Sequence, residues 1–159
     1  MFGGLGVGVA AIYYIITLRT NQKTLKTTLE TRQAQLYMYF AQQMTSDTWA
    51  EHMIKIDQSK WSSLEEFNQW YSDDPRNQVC WGIVLNYFEN AGVLVHKDLL
   101  DIDIVATAFA GMTRRFWEKM KPIVLSQRVT WNQPRLASEF EYLYNRLMRY
   151  MEEHSEFKT

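Results

Sequence analysis

The chain has 159 residues, 47% of them hydrophobic and 22% charged, and carries a formal net charge of −1. Its single cysteine, Cys80, excludes an internal disulfide and sits in an apolar run, as a buried thiol in a reducing compartment does. Residues 1–33 carry four basic and one acidic side chain and the remainder thirteen basic and seventeen acidic. The body is therefore acidic, which argues against nucleic-acid binding, because that depends on phosphate neutralisation by Lys and Arg.

The first predicted element is the uncharged run MFGGLGVGVAAIYYIITL, residues 1–18. As a helix it covers roughly 27 Å, close to the ~30 Å hydrocarbon core of a bilayer. Glycines weaken a helix in water, but in lipid the need to satisfy every backbone group outweighs poor propensity. Gly4 with Gly8, and Gly6 with Ala10, have the small-xxx-small spacing that lets a second helix approach closely. The alternative for these glycines is a loosely ordered N-terminus; no Gly-Lys-Ser/Thr follows to make a phosphate loop. A cleavable signal would carry a basic leader and a small-residue cleavage site, whereas Tyr13 and Tyr14 stand near the end of this run. The segment is expected to be a retained anchor. Arg19, Lys23, Lys26 and Arg32 follow it, so the positive-inside bias places the N-terminus outside and the C-terminal body in the cytoplasm of a cell inner or plasma membrane.

Residues 19–45 are predicted to continue the anchor as one juxtamembrane helix, with no Pro and no Gly. Heptad numbering from Leu18 puts Leu18, Gln22, Leu25, Leu29, Arg32, Leu36, Tyr39 and Gln43 on one seam. Leu18, Leu25, Leu29 and Leu36 make this a narrow apolar stripe that either pairs with a copy of itself or docks on the domain that follows.

Residues 46–159 are predicted to form a cytoplasmic helical domain. Ser46 and Asp47 are candidate caps for a helix presenting Trp49, Met53 and Ile56. WSSLEEF offers a capping box as Ser62 with Glu65 or Ser63 with Glu66, ahead of Leu64, Phe67 and Trp70 or Tyr71. Asp74-Pro75 opens a further helix with Val79, Cys80, Ile83, Val84, Tyr87 and Phe88 on its buried face. Ala91-Gly92 is expected to end it, with Gly92 as a left-handed cap and Val93 as its hydrophobic contact. Asp101 caps a long helix on which Val105, Phe109, Met112, Phe116 and Met120 recur at helical spacing, kinked or restarted at Pro122 and running to about Arg128. Asn132 to Pro134 turns the chain into a last helix bearing Leu136, Phe140, Leu143, Leu147 and Met151. No segment alternates with period two, so the fold expected is all-α: an N-terminal transmembrane helix extended into a long helix, then a cytoplasmic bundle.

Catalytic and metal chemistry find little support in the sequence. His52, His96 and His154 lack a Glu three residues earlier, and there is no His-Glu-x-x-His, Cys-x-x-Cys or nucleophile elbow. No catalytic residue, metal or cofactor is therefore expected. Glu89, Asp98, Asp101 and Asp103 are the best candidates for a polar site; the structural alternative is that Asp98 and Asp101 cap helices while Glu89 pairs with a cation. Arg114, Arg115, Lys119 and Lys121 form a basic patch that faces either anionic lipid or solvent.

Asn86-Tyr87-Phe88-Glu89 followed by Gly92, Asp101 before a helix, Phe116-Trp117-Glu118 with Pro122 and Arg128, and Phe140-Glu141-Tyr142-Leu143 occur in that order. In these features residues 20–150 or so resemble a prokaryotic family of short, membrane-anchored helical proteins known only as a domain of unknown function. The resemblance implies a membrane helix followed by a cytoplasmic bundle and brings no activity, cofactor or catalytic residue. Together these readings point to a non-enzymatic single-pass membrane protein that acts at the cytoplasmic membrane surface and binds other membrane or cytoplasmic proteins or a copy of itself. The alternative is an accessory or structural subunit of a large membrane complex; an enzyme acting on lipid or a small ligand comes third.

Overall fold

The computed structural model describes residues 3–157, with the backbone alone for residues 3–9 and 155. All regular structure among these residues is helical: α1 (Gly3–Met44), α2 (Asp47–Gln58), α3 (Leu64–Asp73), α4 (Pro75–His96), α5 (Ile102–Thr130) and α6 (Ser138–Glu153), closed by a single turn at Ser155–Phe157. The all-α expectation holds.

Local chemistry sets most helix starts. Ser46 Oγ accepts from the Trp49 N–H at 3.2 Å to open α2. Of the two capping-box registers the second forms: Ser63 Oγ accepts from Glu66 N–H, and the Glu66 carboxylate reaches back to the N–H and hydroxyl of Ser62. Asp74 caps α4 ahead of Pro75, whose missing N–H is no loss there. Asp101 caps α5, which passes through Pro122 without ending and continues to Thr130.

The expected stop at Gly92 is overturned, because α4 runs on for another turn to His96. The left-handed residue is Asp98, with the Leu99 N–H donating to Leu94 O and the Asp98 N–H to Val95 O, the paired bonds of a Schellman ending. Asp adopts this conformation at less cost than most side chains. Gly92 is buried for another reason: a Cβ built there overlaps the Glu139 carbonyl, so its missing side chain lets α4 and α6 come into backbone contact.

The core forms where α4 packs on α6 and α2, and α6 packs on α5. Phe88 of α4 stacks on Phe140 of α6 at 4.5 Å between ring centroids, and Trp117 of α5 meets the same ring edge-on at 4.9 Å. A second cluster joins Trp61, Phe67 and Trp81 under α3. The buried face of α4 is rotated from the expected one: Cys80, Val84 and Phe88 are inside, with Trp81 and Leu85 beside them, while Val79 and Ile83 are exposed. Both lie one position off the strip that meets the neighbouring helices.

The long first helix is divided. Phe40 is buried and Leu36, Tyr37 and Met44 pack against the core, with Tyr37 meeting Phe109 and Phe40 meeting Tyr87. Leu18, Leu25 and Leu29 are exposed, so only the Leu36 end of the stripe docks on the domain. Among the described residues no helix is long and apolar enough to cross a membrane. Half of the apolar run lies outside the described part: residues 1 and 2, and the side chains of residues 3–9. Gly4, Gly6 and Gly8, three members of the expected packing face, fall in that part; Ala10 is exposed.

The glycines give a direct stability test. Gly92→Ala forces α4 and α6 apart and is expected to cost about 1–3 kcal/mol or more. Gly82→Ala, where the new Cβ meets nothing within 4 Å, is expected to stabilise by up to about 1 kcal/mol. Urea unfolding of the two variants beside the parent measures both; a neutral Gly92→Ala would contradict the close approach.

Candidate functional site

The residues that the sequence singles out for polar chemistry do not converge on one cleft. Glu89 projects from α4 to the start of α6, where its Oε2 accepts from the N–H groups of Glu139 at 3.0 Å and Phe140 at 2.8 Å. These are the positions an N-cap side chain normally serves. The residue before α6 is Ala137, which has a left-handed backbone and no side-chain cap. Glu89 therefore supplies the cap from another helix, and its negative charge meets the positive end of the α6 dipole. The cation expected as its partner is absent from that role.

Asp101 caps its own helix, and Asp103 accepts from the Tyr150 hydroxyl at 2.9 Å. Asp98 occupies the left-handed turn after α4. The four carboxylates thus serve separate tasks, and no group of three or more His, Cys, Asp or Glu residues suited to a metal occurs among the described residues.

Around the Glu89 cap lies a set of polar contacts that the sequence does not show. His96 Nδ1 is 2.7 Å from Glu139 Oε2, and its ring stacks on Tyr142. Arg128 donates from Nε to the Leu136 carbonyl at 2.9 Å and from Nη1 to Glu141 at 2.8 Å, tying the α5–α6 connection to both helices. With the Phe88, Phe140 and Trp117 rings, this network joins most of the motif residues Phe88, Glu89, Gly92, Trp117, Arg128, Phe140 and Glu141 in one interface.

The basic patch is likewise dispersed. Arg114 pairs with Glu118 on its own helix at 3.0 Å, and Arg115 pairs with Asp57 of α2. Lys119 donates to the carbonyls of Asp57 and Ser59 at 2.8 and 2.7 Å and lies over the Trp61 ring. It neutralises the negative end of α2. Burial pushes its ammonium down from the usual lysine range, Asp57 opposing that effect. Lys121 remains exposed.

Cys80 Sγ lies 3.0 Å from His52 Nδ1 across the α2–α4 contact. A Cys beside a His is a nucleophile arrangement in principle. Here the thiol is buried, and burial pushes it up, away from the lowered value that a reactive cysteine needs.

Residues 2–147 match the pattern of a domain of unknown function, DUF4760. The chain belongs to that family. No curated protein and no solved structure matches the chain. The match spans α1 as well as the bundle, so the long helix belongs to the family's own unit.

Two expected outcomes follow. Glu89→Ala strands two N–H groups at the start of α6 and should cost about 1–3 kcal/mol, whereas Glu89→Gln, which keeps an acceptor, should cost less; chemical denaturation separates them. The second concerns acid. The Arg76 N–H, aided by the Arg76 and Lys55 side chains, holds Asp74 down to about 2 from its ordinary 3.8. A depressed carboxyl stabilises the fold fully above its unfolded value and loses that contribution as pH falls through the folded one. Asp74→Asn should therefore remove part of the stability loss between pH 4 and pH 2 seen in the parent by thermal melts, and an unchanged profile would contradict the cap.

Proposed function

We propose that the chain is a non-enzymatic, single-pass membrane protein whose helical domain is a protein-interaction module at the cytoplasmic membrane surface. The observation that carries this reading is the division of α1. Its far end is built into the core through Phe40, while Ile12, Tyr13, Tyr14, Ile15, Ile16 and Leu18 are exposed around the helix with nothing packed on them. An apolar surface on every face of a helix belongs in lipid or within a larger assembly. The uncharged residues 1–18 supply the length for a span, and the basic residues that follow supply the orientation. Between Leu18 and docked Leu36 the helix rises about 27 Å, so it holds the domain off the bilayer as a stalk. The polar residues singled out for chemistry are engaged in caps and clasps, which supports a binding role over a catalytic one.

Membrane preparations of the full chain test this reading. The protein should remain in the pellet after an alkaline carbonate wash. Protease added outside intact cells should leave the C-terminal domain whole and should degrade it once the cells are opened. Release by carbonate would remove the anchor; cleavage in intact cells would reverse the orientation.

A further inference from the structure

The outer face of α5 is an unpartnered trough with two clefts in it. One cleft lies where α5 runs beside α1, over Ile104 and Ala108, with Tyr37 as its wall. The other lies where α5 runs beside α2, over Gly111 and Met112, with Met53 and exposed Ile54 as its wall. From Ile104 in the first to Met112 in the second, α5 advances eight residues, or about 12 Å. That matches the separation of apolar side chains two turns apart on one face of a helix. The floor between them is small, with Thr107, Ala108 and Gly111 exposed, so a helix backbone can lie close.

Charge selects the occupant further. The cleft beside α1 is flanked by Glu30 and Asp103, with no Lys or Arg in its lining. Among the described residues Glu30 has only a loose, exposed contact with Lys26 at 3.8 Å, and Asp103 faces a neutral hydroxyl. At the other cleft Arg115 and Asp57 neutralise one another. We infer that this trough binds an amphipathic helix of a partner protein, which seats two apolar side chains two turns apart in the clefts and sets a Lys or Arg against Glu30 and Asp103. This deepens the interaction-module reading and rests on it. Methionines in the wall suit the trough to more than one apolar side chain.

Gly111→Leu is the decisive variant. A Cβ there meets nothing within 4 Å, so the substitution fills the trough from above while improving helix propensity. The probe is a fluorescein-labelled helical peptide with two leucines two turns apart and lysines at one end, with a glutamate twin as control. Both are titrated into the full chain in neutral detergent and followed by anisotropy. The lysine peptide should bind saturably and the twin at least about tenfold more weakly. Gly111→Leu should lose at least about tenfold in affinity for the lysine peptide with an equal or higher Tm. Glu30→Lys should weaken the lysine peptide alone. Absent saturable binding, equal binding of the two peptides, or unchanged binding to Gly111→Leu would each overturn the proposal. So would a parent that is dimeric by light scattering and becomes monomeric in Gly111→Leu, since the occupant would then be a second copy. Co-purification in mild detergent separates the two levels: a stoichiometric partner retained by Gly111→Leu sinks the trough alone, whereas no partner for the parent sinks the interaction module itself.

Discussion

The bundle turns on one carboxylate. The last helix begins after an alanine that has no side-chain cap to offer, so the N–H groups of Glu139 and Phe140 find no cap in the local chain. Glu89 answers them from α4, and Gly92, almost one turn further along, has no Cβ to collide with the Glu139 carbonyl. With α6 seated at that distance, Phe140 reaches both the face of Phe88 and the edge of Trp117. Arg128 then bridges the α5–α6 connection to Glu141, and His96 meets Glu139. All of these contacts lie along the α4–α6 and α5–α6 seams that the Glu89 cap and the Gly92 approach bring together.

The second organising constraint is that α1 is continuous. Phe40 belongs to the core and Tyr37 and Met44 pack against it, so a helix that leaves the domain does so with a fixed direction. Tyr37 lies level with Phe109, and Glu30 with the Asp103–Ile104 end of α5, so α1 and α5 run the same way. The stalk therefore departs from the end of the bundle that holds the α4–α5 turn, and the α5–α6 connection lies at the opposite end. In the proposed setting this points Trp131 and its neighbours away from the bilayer and leaves the flank of the bundle, where the α5 trough lies, free to receive a partner.

The sequence was most legible where one residue type performs a local task. Asp101 caps the helix expected of it, Ser46 and Ser63 do so as one of two candidates each, and Asp74 caps the helix it opens, because an N-cap works within three residues of itself. The apolar spacing of α5 and α6 located Phe109, Phe116, Met120, Phe140, Leu143 and Leu147 correctly in the core. Gly92 has two explanations at the level of sequence, because a helix terminator and close packing of another backbone both call for a glycine. Glu89 was recognised as a polar candidate, but its partners lie 50 and 51 residues away and are main-chain groups, which carry no residue signature. Lys119 was hidden for the same reason, since its partners are the carbonyls that end α2. The basic and acidic clusters looked like sites only because the sequence places side by side groups that the helices turn toward different neighbours.

The most direct test of this account is amide hydrogen exchange at Glu139 and Phe140. The first N–H groups of a helix ordinarily exchange freely, since no helical carbonyl precedes them. If Glu89 holds the start of α6 in place, these two amides exchange only when the whole domain unfolds, at the rate of the slowest amides of α4. Exchange of both at the rate of exposed amides, with the rest of α6 still protected, would contradict it.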